Sequence, residues 1–84
     1  MELSRKDIEN LKKRIPKVIG KNIRDVRENK GMTQTTLSNL VGSDRQYLYK
    51  IEHAKVGVSV VKLIIIAKAL EVDVADLLVD CTLN

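Results

Sequence analysis

With 84 residues, the chain can form one folded domain but is too short for two independent hydrophobic cores. Apolar residues make up 44% of it without any Phe or Trp, and only one Pro and four Gly interrupt it, which excludes a disordered chain and predicts a compact all-α domain. The net charge of +4 lies mainly in residues 1–30, which hold ten Lys and Arg against five acids; a polyanion-binding face and a merely solvated basic surface explain this equally well.

Residues 1–16 predict an N-terminal extension that is helical. Ser4 is placed to cap a helix that has Asp7 at its third position, and apolar residues follow at helical spacing at Ile8, Leu11 and Ile15. Pro16 is expected to end this helix or to begin the next one, because proline lacks a backbone N–H and suits only the first turn. The role of the extension stays open among a packed helix, a dimer arm and a basic segment that contacts DNA.

Five further helices are predicted over residues 17–80, which form one domain, and residues 81–84 are a C-terminal tail. The helices span residues 17–29, 34–41, 45–53, 60–70 and 74–79. Expected N-caps are Thr33, Asp44 and Ser59, and expected helix-ending glycines are Gly31 and Gly42. The residues expected to face the core are Ile19, Ile23, Val26, Leu37, Leu40, Val41, Leu48, Ile51, Val60, Leu63, Ile66, Ala67, Leu70, Leu77 and Leu78.

Cysteine usage and the charged start of the chain predict a cytoplasmic protein. Cys81 has no partner for an internal disulfide, and no signal peptide opens the sequence. The longest apolar stretch, residues 56–70, is interrupted by two lysines and is too short to span a bilayer. His53 has no partners at metal-ligand spacing, and no nucleophile–base pair or phosphate-binding glycine loop is found. We therefore expect no enzymatic activity, no metal, no cofactor and no membrane partner.

The most informative segment is residues 33–55, TQTTLSNLVGSDRQYLYKIEHAK. It predicts two short helices that meet at a tight turn centred on Gly42, and helices this short are stable only when they pack on the rest of a domain. The second helix leaves Arg45, Gln46, Tyr49 and Lys50 outward. These long, hydrogen-bonding and partly cationic side chains suit the major groove of duplex DNA, where Arg pairs with guanine and Gln with adenine. An ordinary solvated helix face is the alternative.

This segment and its surroundings resemble the Cro and phage-repressor (XRE-type) helix-turn-helix family. The resemblance implies a repressor-like DNA-binding domain in residues 17–80 and a sequence-specific transcription regulator of double-stranded DNA, with repression of nearby genes as the expected effect. The matching positions keep their register without gaps over residues 17–78, and they are Ile23, Arg24, Arg27, Gly31, Met32, Thr33, Gln34, Leu37, Gly42, Ile51, Glu52, Lys55, Ser59, Leu63, Ile66, Ala67, Lys68, Ala69, Leu70 and Val72.

The resemblance also implies roles for single residues. Base contacts fall on the recognition helix, residues 45–53, at Arg45, Gln46, Tyr49 and Lys50. Phosphate contacts fall on Thr33, Gln34 and Lys55, and Gln34 is further expected to brace the recognition helix. A structural ion pair falls on Arg27 and Glu52.

Two departures from the family pattern affect helix ends. Ala54 and Glu71 stand where the family often has glycine, so a left-handed backbone is less readily adopted at both positions. Between them, residues 56–58 read Val-Gly-Val instead of a more polar loop, so fewer phosphate contacts are expected there.

The helix predicted over residues 60–70 is apolar nearly all round. After its core residues are assigned, Val61, Ile64 and Ile65 remain on another face. The N-terminal segment could cover them, as could Val79 and Leu83 of the C-terminal part. We expect instead a homodimer interface, because a contiguous exposed apolar patch marks association. A two-fold dimer would place two recognition helices about 34 Å apart, on successive major grooves of a palindromic operator.

The same apolar helix supports an alternative function. A helix-turn-helix of the antitoxin or coactivator type has another protein as its main partner, and an apolar face would serve that partner as well as a second copy. Recovery of a tight heterologous partner would favour this alternative over operator binding.

Overall fold

The computed structural model describes residues 2–82, which form four α-helices and a final 3₁₀ turn. Helix α1 spans Arg5–Asn29, α2 spans Gln34–Leu40, α3 spans Arg45–Glu52 and α4 spans Val60–Leu70; the 3₁₀ turn spans Val74–Leu77. No strand occurs in residues 2–82. The predicted all-α fold is therefore confirmed. The helix count of five plus an N-terminal helix was wrong, because the first two predicted helices are one and the last is only a 3₁₀ turn.

The continuity of α1 corrects the expected break at Pro16. Ser4 and Asp7 form the predicted capping box, in which the Asp7 N–H donates to Ser4 Oγ at 3.0 Å and the Ser4 N–H donates to the Asp7 carboxylate at 3.1 Å. Pro16 lies well inside the helix. It lines a small apolar cavity together with Ile15, Ile19 and residues 56–58. The helix therefore continues through Pro16 although the proline removes one hydrogen bond from its interior.

Every predicted N-cap accepts a hydrogen bond from the backbone of its helix. Besides Ser4, the caps are Thr33 on α2, Asp44 on α3 and Ser59 on α4. Each side chain satisfies one of the N–H groups that the first helical turn leaves free. Asp73, which was not predicted as a cap, has the same function at the 3₁₀ turn.

Within residues 2–82, left-handed backbone occurs at the two predicted glycines and at three other residues, Ala54, Glu71 and Asp80. Gly31 and Gly42 have φ values of 68° and 69°, while Ala54 and Glu71 reach 56° and 57°. The glycine-to-Ala54 and glycine-to-Glu71 departures therefore did not change the backbone. They add a steric cost of about 1–2 kcal/mol each for a side chain in this region.

A single core lies between the helices. Its fully buried large side chains are Ile23, Leu37, Leu48, Ile66, Leu70 and Leu77. Three residues predicted for the core are exposed instead: Leu40, Val60 and Leu78. Leu40 is the last residue of α2, whose buried side carries Leu37 and Ser38. Val60 and Leu78 lie at helix ends, where helical spacing gives a poor estimate of direction.

Helix α1 crosses the C-terminal end of α3 at Gly20, which is buried. A Cβ atom added to Gly20 would lie 2.5 Å from the Ile51 carbonyl oxygen and 2.7 Å from that of Glu52. Both atoms belong to backbone, which cannot rotate away as a side chain can. Glycine is therefore the residue that allows α1 and α3 to approach this closely.

We expect Gly20→Ala to destabilise the fold. Helix propensity alone would make alanine about 1 kcal/mol more favourable here, but the Cβ contact forces the helices apart, and overpacking of this kind costs about 1–3 kcal/mol. The measurement is the free energy of unfolding in urea. Gly57→Ala is the matched control, because a Cβ there meets nothing within 4 Å and should change stability by less than about 0.5 kcal/mol. An alanine variant more stable than the parent would contradict the close crossing.

Candidate nucleic-acid interface

Helices α2 and α3 pack on each other across the turn at Gly42. The buried side of α3 carries Leu48, Ile51 and Glu52, and α2 meets it with Leu37. A helix of eight residues has little stability of its own. The orientation of α3 is therefore determined by what its buried side contacts.

The opposite side of α3 carries the four side chains that the sequence singled out. Arg45, Gln46, Tyr49 and Lys50 are all exposed. Their spacing of one, four and five residues places them on one face of the helix. The structure thus brings these four side chains together on an exposed surface. Asp44 caps the N-terminus of α3, which begins at Arg45.

A ring contact on this surface was not expected from the sequence. The Tyr49 and His53 rings stack with centroids 3.9 Å apart and planes inclined by 20°. His53 Nδ1 also lies 2.9 Å from the Tyr49 carbonyl oxygen. The four-residue spacing of two planar side chains was the available signal. The stack restricts the Tyr49 ring to one side of α3.

Three side chains from three helices meet behind α3. Arg27 Nε donates to Glu52 Oε2 at 2.7 Å and Arg27 Nη2 donates to Glu52 Oε1 at 3.0 Å, so the pair is bidentate. Arg27 Nη1 donates to the Met32 carbonyl oxygen at 2.8 Å. Gln34 Nε2 donates to Glu52 Oε1 at 3.1 Å. The hydrogen bonds to Glu52 raise the pKa of Arg27 above its ordinary value, although burial acts in the opposite direction.

The expected phosphate-contacting residues lie in two places. Thr33 and Gln34 stand at the start of α2 and line a surface cleft together with Arg45. The Gln34 amide nitrogen is directed at Glu52, while the Thr33 hydroxyl caps α2. Lys55 is exposed and lies just after α3. These residues therefore flank the outward side of α3 at its beginning and end.

The apolar side chains expected at a dimer interface are exposed on α4. Ile64 and Ile65 are each 41% exposed and Val61 is 69% exposed. Leu40, which is 58% exposed, lines a groove with Ile64 and Ile65. We call Leu40, Val61, Ile64 and Ile65 the apolar patch. Sequence reasoning missed Leu40 because it assigned this residue to the core.

Neither the N-terminal segment nor the C-terminal part of residues 2–82 covers the apolar patch, although both were considered as covers from the sequence. Ile8 of the N-terminal segment is itself 42% exposed. Val79 is also exposed, and Leu83 lies outside the described residues. Within residues 2–82, the patch is therefore an unoccupied surface.

The reactive side chains outside α3 were compared for metal-ligand geometry and for thiol reactivity within residues 2–82. No three His, Cys, Asp or Glu side chains of residues 2–82 come together in a way that could hold a metal ion. Burial raises the pKa of the Cys81 thiol, which disfavours the reactive thiolate. None of the helices in this range combines the length and apolar content that crossing a membrane requires.

Comparisons with known proteins agree with this geometry. The helix-turn-helix family model matches residues 23–77. Among solved structures, the chain is similar to the restriction-modification controller protein C.AhdI from Aeromonas hydrophila, with 34% identity, a TM-score of 0.72, and coverage of 74% of this chain and 94% of that one. It is also similar to the clp gene regulator ClgR from Corynebacterium glutamicum, with 28% identity, a TM-score of 0.77, and coverage of 80% and 87%.

A third similar structure is the hypothetical transcription factor NHTF from Neisseria. It shares 29% identity with a TM-score of 0.75, and the match covers 81% of this chain and 78% of that one. No curated protein sequence matches the chain significantly. The fold is thus that of helix-turn-helix transcription regulators.

We expect Glu52→Gln to destabilise the domain by about 3 kcal/mol, because breaking a buried ion pair leaves the Arg27 charge uncompensated. The measurement is again the free energy of unfolding in urea. Asp25→Asn is the matched control, since it makes the same change in the exposed Lys21–Asp25 pair and should cost less than about 1 kcal/mol. Equal losses in both variants would show that burial of the Arg27–Glu52 pair has no special effect.

Proposed function

The chain belongs to the XRE-type helix-turn-helix family, and we propose that it is a sequence-specific regulator that binds duplex DNA as a homodimer. In this proposal α3 enters the major groove of each half of a palindromic operator, and binding represses nearby genes. The observation that carries the proposal is the outward face of α3, which exposes Arg45, Gln46, Tyr49 and Lys50 together. The opposite side of α3 is buried against α1 and α2.

The chemistry of the outward face favours base contacts. Arg45 can donate two hydrogen bonds to the O6 and N7 atoms of guanine, and Gln46 can pair with the N6 and N7 atoms of adenine. Lys50 adds a mobile positive charge one turn further along. Tyr49, held by the His53 stack, presents an apolar edge that suits a thymine methyl group.

Contacts to the DNA backbone would then position α3. Thr33 and Gln34 at the start of α2 and Lys55 after α3 bracket the recognition helix, as phosphate-contacting groups on both walls of a groove must. One N–H of the Gln34 amide donates to Glu52 and braces α3, which leaves its second N–H for a phosphate.

The apolar patch supports dimerisation. An exposed apolar groove lined by Leu40, Ile64 and Ile65 costs free energy in water, and a second copy of the same patch would cover it around a two-fold axis. Such a dimer presents two recognition helices to one side of the DNA. A palindrome with half-sites about one helical turn apart is the matching operator.

The same patch supports a second candidate function, in which the main partner is another protein. The groove is apolar and has Lys68 at its rim, so an amphipathic helix with an acidic edge would fit it. A chain that stays monomeric at micromolar concentration and binds DNA without sequence preference would favour this candidate over the operator-binding dimer.

Selection from a randomised duplex library at physiological salt tests the proposed function. The expected result is enrichment of one palindromic sequence. Weak binding to all duplexes that disappears as salt rises would instead show that the basic surface attracts polyanions without specificity.

We expect Arg45→Ala and Gln46→Ala each to reduce discrimination between the selected operator and a scrambled duplex by about 1–3 kcal/mol, because each removes a base contact. Lys55→Ala should weaken both duplexes by the same factor, since it removes a phosphate contact. Fluorescence anisotropy with labelled duplexes measures both quantities. Lys12→Ala, on an exposed part of α1 away from α3, is the control and should change neither. Full operator selectivity in Arg45→Ala would contradict its assigned role.

We expect Ile64→Asp to convert the dimer into a monomer, because a buried unpaired charge is costly at an apolar interface. Sedimentation equilibrium gives the oligomeric state. Ile8→Asp is a matched control, since Ile8 is 42% exposed against 41% for Ile64 but lies outside the apolar patch. Loss of the dimer in both variants, or in neither, would rule out this patch as the interface.

A further inference from the structure

The first turns of α1, before Arg14 donates to the Asp80 carbonyl oxygen, extend past the rest of the domain. The helix begins at Arg5 and first meets the backbone of α3 at Gly20, and the intervening residues correspond to about 22 Å of helix. The molecule is accordingly 41 Å long but only 23 Å and 20 Å across. This protruding segment is helical, carries several lysines and precedes the part matched by the family model, residues 23–77.

One side of α1 changes character along its length. Lys6, Lys13, Gly20 and Arg27 are spaced by seven residues, about two helical turns, and so share one side of the helix. At Gly20 and Arg27 this side packs against the end of α3. Before Gly20 the same side continues beyond α3 and presents lysines.

Lys17 completes this surface, because it lies three residues before Gly20. Lys6, Lys13 and Lys17, which we call the lysine face, are all exposed. None of the three forms an ion pair with another residue of the described range 2–82, and Glu9 does not reach Lys13 in spite of its helical spacing. The positive charge of the lysine face is therefore not neutralised within this part of the chain.

We propose that the lysine face binds backbone phosphates of duplex DNA next to the base pairs contacted by α3. The inference rests on the proposed function, in which α3 lies in the major groove. Helix α1 then lies behind α3 as seen from the DNA. Packed helices are about 8–10 Å apart, and the major groove is about 8.5 Å deep, so the phosphate ridge that borders the groove reaches the level of α1.

Beyond the end of α3, the lysine face is the part of α1 turned towards that ridge. Lys55 is exposed directly after α3 and has the same sign of charge as the lysine face. Lysine suits this contact because its flexible side chain meets a phosphate as a point charge without demanding a fixed geometry. The contact adds affinity and positioning but no sequence information.

The test compares Lys13→Gln/Lys17→Gln with Arg5→Gln/Lys12→Gln. Arg5, Lys12 and Ile19 are seven residues apart and share one side of α1, which is not the side that carries the lysine face. Each double variant removes two exposed charges from the same helix. Binding to the selected operator and to a scrambled duplex is measured by fluorescence anisotropy over a range of salt concentrations. Far-UV circular dichroism and melting confirm that each variant is folded.

Removing the two lysines should reduce the slope of log K against log salt by about 0.9 for each lost phosphate contact, or about 1.8 per half-site. The affinity loss should have the same factor on both duplexes, and Arg5→Gln/Lys12→Gln should retain the parent slope. Lys13→Arg/Lys17→Arg, which keeps both charges, should also retain it and guards against a purely structural effect.

An unchanged slope in Lys13→Gln/Lys17→Gln would overturn the inference, as would an equal loss in the Arg5→Gln/Lys12→Gln control or a loss confined to the operator. These outcomes are distinct from failure of the proposed function. If the parent chain shows no preference for any duplex, the proposed function fails. If it is selective while the slope does not change, only the lysine face fails.

Discussion

The packing of α1 against the end of α3 determines where the outward side chains of α3 stand. Helix α3 is too short to be stable alone, so its axis follows its buried contacts. Gly20 allows the two backbones to touch, and Arg27 joins α1 to Glu52 at the same end. Gln34 brings α2 to the same carboxylate. One carboxylate, Glu52, thus connects all three helices that form the candidate interface.

The ion pair at this junction contributes direction more than stability. Desolvating two charges offsets much of their attraction, and an apolar pair of similar volume is often as stable. An apolar contact, however, would allow α3 to slide or rotate. Arg27 instead makes three directed hydrogen bonds, two to Glu52 and one to the Met32 carbonyl oxygen. A shift of α3 along its axis would break the two bonds to Glu52 together, while the bond to Met32 keeps the guanidinium in place, so we infer that the pair selects one orientation of the outward side chains of α3.

Local signals made the caps and most of the core predictable, whereas features that depend on tertiary packing were not. Thr33 was recognisable as a cap because capping depends on residues within one turn. Pro16 was misinterpreted, since α1 continues through it where the helix lies against residues 56–58, which are distant in sequence. Leu40 was misplaced because two helical turns define a face poorly. At the site, helical spacing brought Arg45 and its neighbours together, but the side-chain rotamers that stack Tyr49 on His53 are not determined by spacing alone.

The surfaces on α3 and α4 are connected by a close-packed core. Leu48 of α3 and Leu63 and Ile66 of α4 belong to one buried cluster, and interiors packed at this density deform little. The separation between the outward face of α3 and the apolar patch is therefore set by packing rather than by a flexible link. If two copies meet at the patch, the distance between their recognition helices follows from the same core, and operators with a different half-site spacing would be excluded by the stiffness of a single small domain.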